Sequence, residues 1–195
     1  MATTLQPITE LEAINQMLGA ISEAPISTLA VSGDLNVSVA IQMLYDVSRE
    51  VQNVGYNFNT EDRYPISLTT DNELLVPSNA LLSELADDFR DMSVTARGQR
   101  LYDKKNHTYI FDKSIKMNLV LFLAWELLPQ PARQYITIKA ARRFQRRMLG
   151  DDLVDGLTGQ EEMESKAQLQ DADATASQYN LGQARDMGTF LSRRR

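Results

Sequence analysis

Apolar side chains near the N-terminus recur at the spacing of an α-helix. The recurring positions are Leu11, Ile14, Met17, Leu18 and Ile21. Steps of three and four residues place them on one face, which predicts an amphipathic helix of about three turns. Thr9 and Glu12 have the spacing of a capping box, so the helix is expected to begin there. Pro25 is expected to stop it, because proline has no backbone N–H to donate.

A second helix is predicted to begin at a cap formed by Asp34 or Asn36 and to end near Gly55. Its predicted buried face consists of Val37, Ile41, Leu44, Val47, Ser48 and Val51. The polar residues between them, Asp46, Arg49, Glu50 and Gln52, are expected to face water.

The third helical pattern runs from Pro131 to Gly150 and is strongly basic. Its apolar seam is Ala132, Ile136, Ala140, Phe144 and Met148. Its basic residues are Arg133, Lys139, Arg142, Arg143, Arg146 and Arg147, and it contains no acidic residue. We therefore expect an anionic partner, which is another part of the chain, another protein or nucleic acid.

Between Tyr56 and Phe111 the helical period is absent, and short alternating segments predict strands at residues 56–59, 64–68, 73–77 and 92–95. Pro65 and Pro77 exclude central strand positions there. A hairpin is predicted with arms Gln99–Tyr102 and Thr108–Phe111 and with Asp103–His107 as its turn. The apolar run Lys116–Glu126 predicts the best-buried strand, although its length also permits a helix.

After Gly150 the charge reverses, and a fourth, long helix is predicted. Its acidic residues are Asp151, Asp152, Asp155, Glu161, Glu162, Glu164, Asp171 and Asp173, opposed only by Lys166. Its thin apolar face would be Met163, Ala167, Leu169 or Gln170, and Ala174. The simplest interpretation is that the basic and acidic helices pack antiparallel.

These patterns together predict an α+β fold, in which N- and C-terminal segments form a four-helix bundle with a β-rich insertion between helix 2 and helix 3. The expected domains are residues 1–55 with 128–195, which include a flexible C-terminal tail, and residues 56–127. The aromatic residues of the insertion are Tyr56, Phe58, Tyr64, Tyr102, Tyr109 and Phe111. They would pack across strands or form a contact surface.

The amino-acid composition limits the kinds of functional site that the chain can contain. The absence of cysteine excludes disulfides and thiolate metal sites, and the single histidine, His107, argues against a histidine-based triad. No phosphate-binding glycine motif is present, so no catalytic, cofactor-binding or metal residue is predicted. The net charge of −6 argues against a general nucleic-acid binder. With no signal-peptide pattern and no membrane-length apolar run, the chain is expected in the cytosol or in an assembly made there.

Two stretches carry a resemblance to a known family. ELEAINQMLGAISEAPISTL (Glu10–Leu29) and LPQPARQYITIKAARRFQRRMLG (Leu128–Gly150) resemble the corresponding segments of the tail tubular protein A family of short-tailed bacteriophages. Val51–Glu61 also resembles the family segment that follows its second helix. Order, spacing and length fit over nearly the whole chain, while residues 66–123 match by pattern alone. The position of Gly19, earlier than in the family, is a departure.

The resemblance implies a structural virion protein without a cofactor. The family forms a dodecameric ring, a head-to-tail adaptor that joins the portal to the nozzle made by tail tubular protein B, supports tail fibres and lets genomic DNA pass through its lumen. Such a protein would be assembled in the host cytoplasm and reside in the virion tail. The candidate subunit or portal contacts are Arg133, Lys139, Arg142, Arg143, Arg146 and Arg147 of the basic helix, with Arg193, Arg194 and Arg195 of the tail.

Two alternatives remain open at this point. The first is a tail-associated hydrolase of polysaccharide that uses two carboxyl groups from Asp87, Asp88 and Glu126. The second is a DNA-binding protein that uses the basic helix, against which the acidic segment behind that helix argues.

Overall fold

The computed structural model describes residues 6–30, 34–150 and 159–177. The fold is α+β, as predicted. The helices are α1 (Glu10–Gly19), α2 (Leu35–Gln52), α3 (Gln130–Met148) and α4 (residues 159–177), and the strands are β1 (Thr60–Ile66), β2 (Ala80–Leu85), β3 (Val94–Arg97), β4 (Arg100–Asp103) and β5 (Ile115–Leu121). The described residues belong to two compact units, one within Met1–Val51 and Ala124–Arg195 and the other within Gln52–Leu123.

The first unit contains the four helices. The capping box of α1 is confirmed, because the Thr9 backbone N–H donates to Glu12 at 2.8 Å and the Glu12 backbone N–H donates to the Thr9 hydroxyl at 3.2 Å. The helix ends at Gly19, however, several residues before Pro25. The Asn15 side chain ties down the segment that follows, since it accepts from the Ile26 N–H at 2.8 Å and donates to the Ile26 carbonyl at 3.0 Å.

The predicted apolar faces of the first unit are largely those that the fold buries. The core residues of α2 are Val37, Ala40, Leu44, Val47 and Val51, and those of α3 include Ala132, Ile136, Ala140 and Phe144. The predicted face of α4 is wrong in part, because Met163 and Ala167 are exposed and Ser165 is buried with Leu169. An acidic helix with so few apolar residues has a weak periodic signal, so its rotation about its axis was set by packing.

The second unit contains two small antiparallel sheets. One has the strand order β1-β5-β2 and the other pairs β3 with β4. The apolar run that begins near Lys116 is therefore a strand, and it is the central strand of the larger sheet, with Ile115, Met117 and Leu119 buried. Pro65 lies in β1, which is an edge strand, as its missing N–H requires. Strand β2 was not predicted, because its apolar residues do not alternate with polar ones.

Two local predictions in this unit are wrong. Residues Asn57–Asn59 form a 3-10 turn instead of a strand. The buried Asn59 side chain imposes this turn by donating to the carbonyls of Gln52 (2.8 Å) and Leu121 (2.9 Å) and accepting from the Tyr56 N–H (2.9 Å). Local side-chain hydrogen bonds of this kind compete with strand pairing, and alternation alone does not reveal them.

The predicted hairpin is also wrong, although its turn exists. The Asp103 carboxylate accepts from the N–H groups of Lys105 (2.7 Å) and Asn106 (3.1 Å), which closes the turn. Beyond this turn the two predicted arms are joined only by the bridge between Asp103 and Thr108. The chain then leaves β4, and Ile110 pairs with Glu73 instead. The true hairpin joins β3 to β4 through a turn that contains Gly98 at φ +65°.

Candidate interaction surface on the basic helix

The sequence that precedes α3 fixes where the helix begins. Pro129 is the N-cap, and Pro131 lies in the first turn, where its missing N–H breaks no helical hydrogen bond. Four of the five predicted seam residues are buried, and Met148 alone is exposed. The basic side chains therefore lie on either side of a buried apolar seam. The surroundings of each one are different.

Arg133 is buried inside its own unit. Its guanidinium donates to three backbone carbonyls, those of Leu128 (Nε, 2.8 Å), Ile8 (NH1, 3.0 Å) and Glu126 (NH2, 2.8 Å). A buried charge requires such partners, because desolvation would otherwise disfavour it. Arg133 was predicted as a subunit or portal contact. In the structure its N–H groups instead hold the segment before α1 to the segment before α3.

Lys139 and Arg143 share one carboxylate, Glu50 of α2. The Lys139 ammonium lies 2.8 Å from Oε1, and the Arg143 guanidinium lies 2.6 Å from Oε2. The hydrogen bond from Arg143 has the largest effect on the pKa of the Glu50 carboxyl and lowers it. Burial acts to raise this pKa, but Arg143 and Lys139 together outweigh burial. Burial acts to lower the pKa of Lys139, but hydrogen bonds and charges from Glu50 and Tyr135 outweigh it and raise that pKa.

We expect Glu50→Gln to weaken the fold by less than about 1 kcal/mol near pH 7, since these side chains are partly exposed. The folded-state pKa of Glu50 lies below its ordinary value of 4.5. The carboxylate therefore stabilises the fold above that value, and the contribution is lost as the pH falls through the lowered pKa. Urea unfolding of wild type and variant at several pH values should show a difference that closes in acid, whereas a difference independent of pH would contradict it. Glu61→Gln, at an exposed position of β1, is the control.

Arg142 joins α3 to α4. Its guanidinium lies 2.9 Å from a carboxylate oxygen of Glu162, and both side chains are mostly buried. The same guanidinium covers the backbone of Gly159, where an added Cβ would come within 3.1 Å of it. At least part of the anionic partner that the basic helix needs is thus supplied by α2 and α4 of the same chain.

The last turn of α3 carries the remaining basic residues, Arg146 and Arg147, and both are exposed. Cations at this end are favoured by the helix dipole, which is negative there. Arg193, Arg194 and Arg195 lie outside the described residues.

One titratable group of α2, the Tyr45 hydroxyl, was not singled out from the sequence. Hydrogen bonding to the Glu10 carboxylate, followed by burial and the charges of Glu10 and Glu126, raises the pKa of Tyr45 to about 12. Leu127, next to Glu126, is exposed. The one available signal was a large aromatic residue outside the buried face of α2.

Two of the three carboxylates considered for hydrolysis are engaged in ion pairs. Asp87 lies 2.6 Å from Arg90, and Asp88 is paired with Arg63. Glu126 belongs to the other unit. His107 is an exposed turn residue with φ +55°, and its Nδ1 lies 3.3 Å from the Tyr102 hydroxyl. Within residues 6–30, 34–150 and 159–177, no group of three or more acidic or histidine residues could hold a metal ion.

Four aromatic residues of the second unit form two pairs. Tyr56 and Phe58 stack with ring centroids 5.6 Å apart, and Tyr102 and Tyr109 are tilted at 4.9 Å. Arg97 lies over the Tyr102 ring at 3.7 Å, and Arg100 over the Tyr109 ring at 4.3 Å. The contacts of Arg97 and Arg100 with these rings add to the packing around the β3–β4 sheet.

Comparison with known proteins decides the family. The model of a family described as tail tubular protein matches residues 11–179, from α1 through α4. The chain belongs to the tail tubular protein family. Tail tubular protein A of Klebsiella phage KP34 is 29% identical over 143 residues, which cover 73% of this chain and 75% of that protein.

Family membership makes this tail tubular protein a structural component of the phage tail that associates with other tail components. The resemblance drawn from Glu10–Leu29 and Leu128–Gly150 is thereby confirmed. Among the helices that the structure describes, none is long and apolar enough to cross a membrane.

Proposed function

We propose that this tail tubular protein is the subunit of a dodecameric ring that joins the portal to the tail nozzle. The ring would carry DNA through its lumen during ejection, support tail-fibre attachment and be assembled in the host cytoplasm. The observation that carries the proposal is the family match over residues 11–179, which includes both structural units. Partners would be further copies of the chain, the portal, the tail tubular protein B nozzle and a tail fibre.

We also propose that the four helices form a bundle, with the β-rich region as an insertion between α2 and α3. The ion pairs of Glu50 with Lys139 and Arg143 join α2 to α3, and the pair between Arg142 and Glu162 joins α3 to α4. Residues 1–55 with 128–195 would be one domain and residues 56–127 the other.

A ring subunit contacts its neighbours through two different surfaces, because rotation about the ring axis brings one face against another. The exposed basic residues at the end of α3 are suited to such a contact. Arg146 and Arg147 lie in the last turn of this helix and are exposed, so we take them as the leading candidates. Arg193–Arg195 are proposed to contact the portal or an adjacent subunit.

The mass of the purified full chain, alone and mixed with portal, tests the ring. We expect a monomer alone and, with portal, a complex whose added mass equals about twelve copies. Portal alone supplies the reference mass. If no added mass appears, the proposed role at the head–tail junction is wrong.

A further inference from the structure

The outer side of the β3–β4 sheet carries a stack of cationic and aromatic side chains. Its inner side packs on the core through the fully buried Leu101. Alternation along the strands places Arg97, Arg100 and Tyr102 on the outer side. The Arg97 guanidinium lies 3.7 Å from the centroid of the Tyr102 ring, and that centroid lies 4.9 Å from the centroid of the Tyr109 ring. Arg100 lies over the second ring, 4.3 Å from the Tyr109 centroid, so the stack has a guanidinium at each end.

Leu75 adds an apolar side chain to this side of the sheet. It lies opposite Arg100 in an isolated bridge and is 42% exposed. Its neighbours Leu74 and Val76 are buried on the inner side. Arg100 is also paired with Glu73. A carboxylate beside the stack disfavours phosphate, so a protein suits this surface better than nucleic acid does.

Positive charge is available at both ends of the surface. Beyond β4 the pairing continues to Lys104, whose N–H donates to the Ser93 carbonyl at 2.7 Å. Lys104 is two residues after Tyr102 and therefore shares its side of the sheet, about 13 Å along the strands from Arg97. Within the part of the chain that the structure describes, neither Arg97 nor Lys104 has an ion pair. The cationic–aromatic face consists of Leu75, Arg97, Arg100, Tyr102, Lys104 and Tyr109.

Helix α4 presents a surface of the opposite charge. Met163, Ala167 and Asp171 follow one another at steps of four residues, and Glu164 precedes Asp171 by two turns, so all four share one side of the helix. All four are exposed, Met163 by 74%, whereas Leu169 on the opposite side is buried. The carboxylates of Glu164 and Asp171 are separated by about 10 Å along the helix axis. The acidic face of α4 consists of Met163, Glu164, Ala167 and Asp171.

The two faces are complementary in charge, in spacing and in their apolar centres. Two cations about 13 Å apart would meet two carboxylates about 10 Å apart, and long basic side chains cover such a difference. Between the charges, Met163 and Ala167 would lie against the tyrosine rings, and a thioether beside an aromatic ring is a favourable contact. Tyrosine, methionine and arginine are the residue types that protein interfaces favour.

We propose that the cationic–aromatic face of one subunit docks on the acidic face of α4 in the next subunit. The contact uses two different surfaces, so it is head-to-tail, and its repetition generates a ring if the rotation closes. The inference rests on the proposed ring and names two surfaces that would build it. The stacked rings are already held in place by the arginines, so little conformational freedom is left for them to lose on binding.

Charge reversal on each face tests the contact. The sheet variant carries Arg97→Glu with Lys104→Glu, and the helix variant carries Glu164→Lys with Asp171→Lys. Each full-length chain is mixed with portal, and the assembled mass is measured by native mass spectrometry. We expect either variant alone to reduce the assembled fraction about tenfold or more, because like charges then face each other at every contact.

Mixing the two variants in equal amounts should restore assembly. The sheet variant's new carboxylates then meet the helix variant's new lysines, and the unchanged faces of the two chains meet each other. Opposite charges face each other at every contact only if the two chains alternate, so the assembled ring should contain equal numbers of both. This rescue requires a contact between subunits, because a contact within one chain or with the portal gains nothing from mixing.

Lys113→Glu with Lys116→Glu is the matched control, since both lysines are exposed in the same unit but lie outside the cationic–aromatic face. We expect it to assemble as wild type does, and thermal melting of each chain alone checks that the variants fold. The proposal is overturned if either variant assembles normally, if the mixture stays apart, or if the control lowers assembly equally. Failure of wild type to assemble with portal would remove the ring as well as this contact, so the two failures are distinguishable.

Discussion

Arg133→Met is expected to lower the free energy of unfolding by about 4 kcal/mol, because two carbonyls each lose a hydrogen bond from a charged donor. Methionine has a similar length but no donor, so it leaves the carbonyls of Leu128 and Glu126 without the hydrogen bonds that Arg133 donates. The Ile8 carbonyl keeps one donor, the Trp125 indole N–H at 2.9 Å. Urea unfolding of the isolated subunit measures the loss, so the effect does not depend on assembly.

The single tryptophan reports on the same site. Since Trp125 and Arg133 share the Ile8 carbonyl, loss of the arginine should loosen this segment and shift the folded-state fluorescence to longer wavelength. Arg147→Met, in the last turn of the same helix, is the control and should cost less than about 1 kcal/mol, the usual scale of a charge at a helix end. Equal effects of the two substitutions would contradict the structural role of Arg133.

Gln52→Leu is expected to destabilise the protein by about 3 kcal/mol, because the backbone N–H and the backbone carbonyl of Leu123 both lose the hydrogen bonds that the Gln52 side chain makes with them. The buried Gln52 amide accepts from the Leu123 N–H at 2.7 Å and donates to the Leu123 carbonyl at 3.1 Å. Gln52 and Leu123 are the first and last residues of the second unit, so this pair closes the unit where the chain enters and leaves it. Leucine has a similar volume to glutamine, so the measured loss of stability reports the missing hydrogen bonds and not a cavity.

Two measurements test this role. Urea unfolding gives the stability, and hydrogen exchange should show faster exchange of the Leu123 amide in the variant. Gln42→Leu, at an exposed position of α2, should change stability by no more than about 0.5 kcal/mol. An unchanged exchange rate at Leu123 would contradict the closing function of Gln52.

The helices could be predicted from the sequence because helix signals involve residues that are close along the chain. The capping box of Thr9 and Glu12 and the four-residue period of Ala132, Ile136, Ala140 and Phe144 need only neighbours along the chain. Gln52 was predicted to face water and is buried. Its polarity suggested a position in water, but its side-chain amide is paired with the backbone of Leu123, 71 residues away along the chain.

The strands were harder to predict because strand pairing joins segments that are distant along the chain. Strand β5 could be recognised from its apolar run, yet its two neighbours come from residues 60–66 and 80–85. The wrong hairpin shows the same limit: Thr108–Phe111 has a strand pattern, but Ile110 pairs with Glu73. Register between remote segments depends on the whole packed unit, which no window of sequence contains.

By itself the sequence determined the α+β class, the seam of the basic helix and the family, because periodicity and motif order are properties of adjacent residues. The tertiary structure alone decided what each basic residue does. Arg133 holds carbonyls inside the unit, Arg143 shares Glu50 with Lys139, and Arg147 stays at the surface. All three arginines have the same charge in the sequence. Their different roles follow from the distance of each guanidinium to acceptors that folding brings together, since electrostatic and hydrogen-bond energies depend on separation and burial.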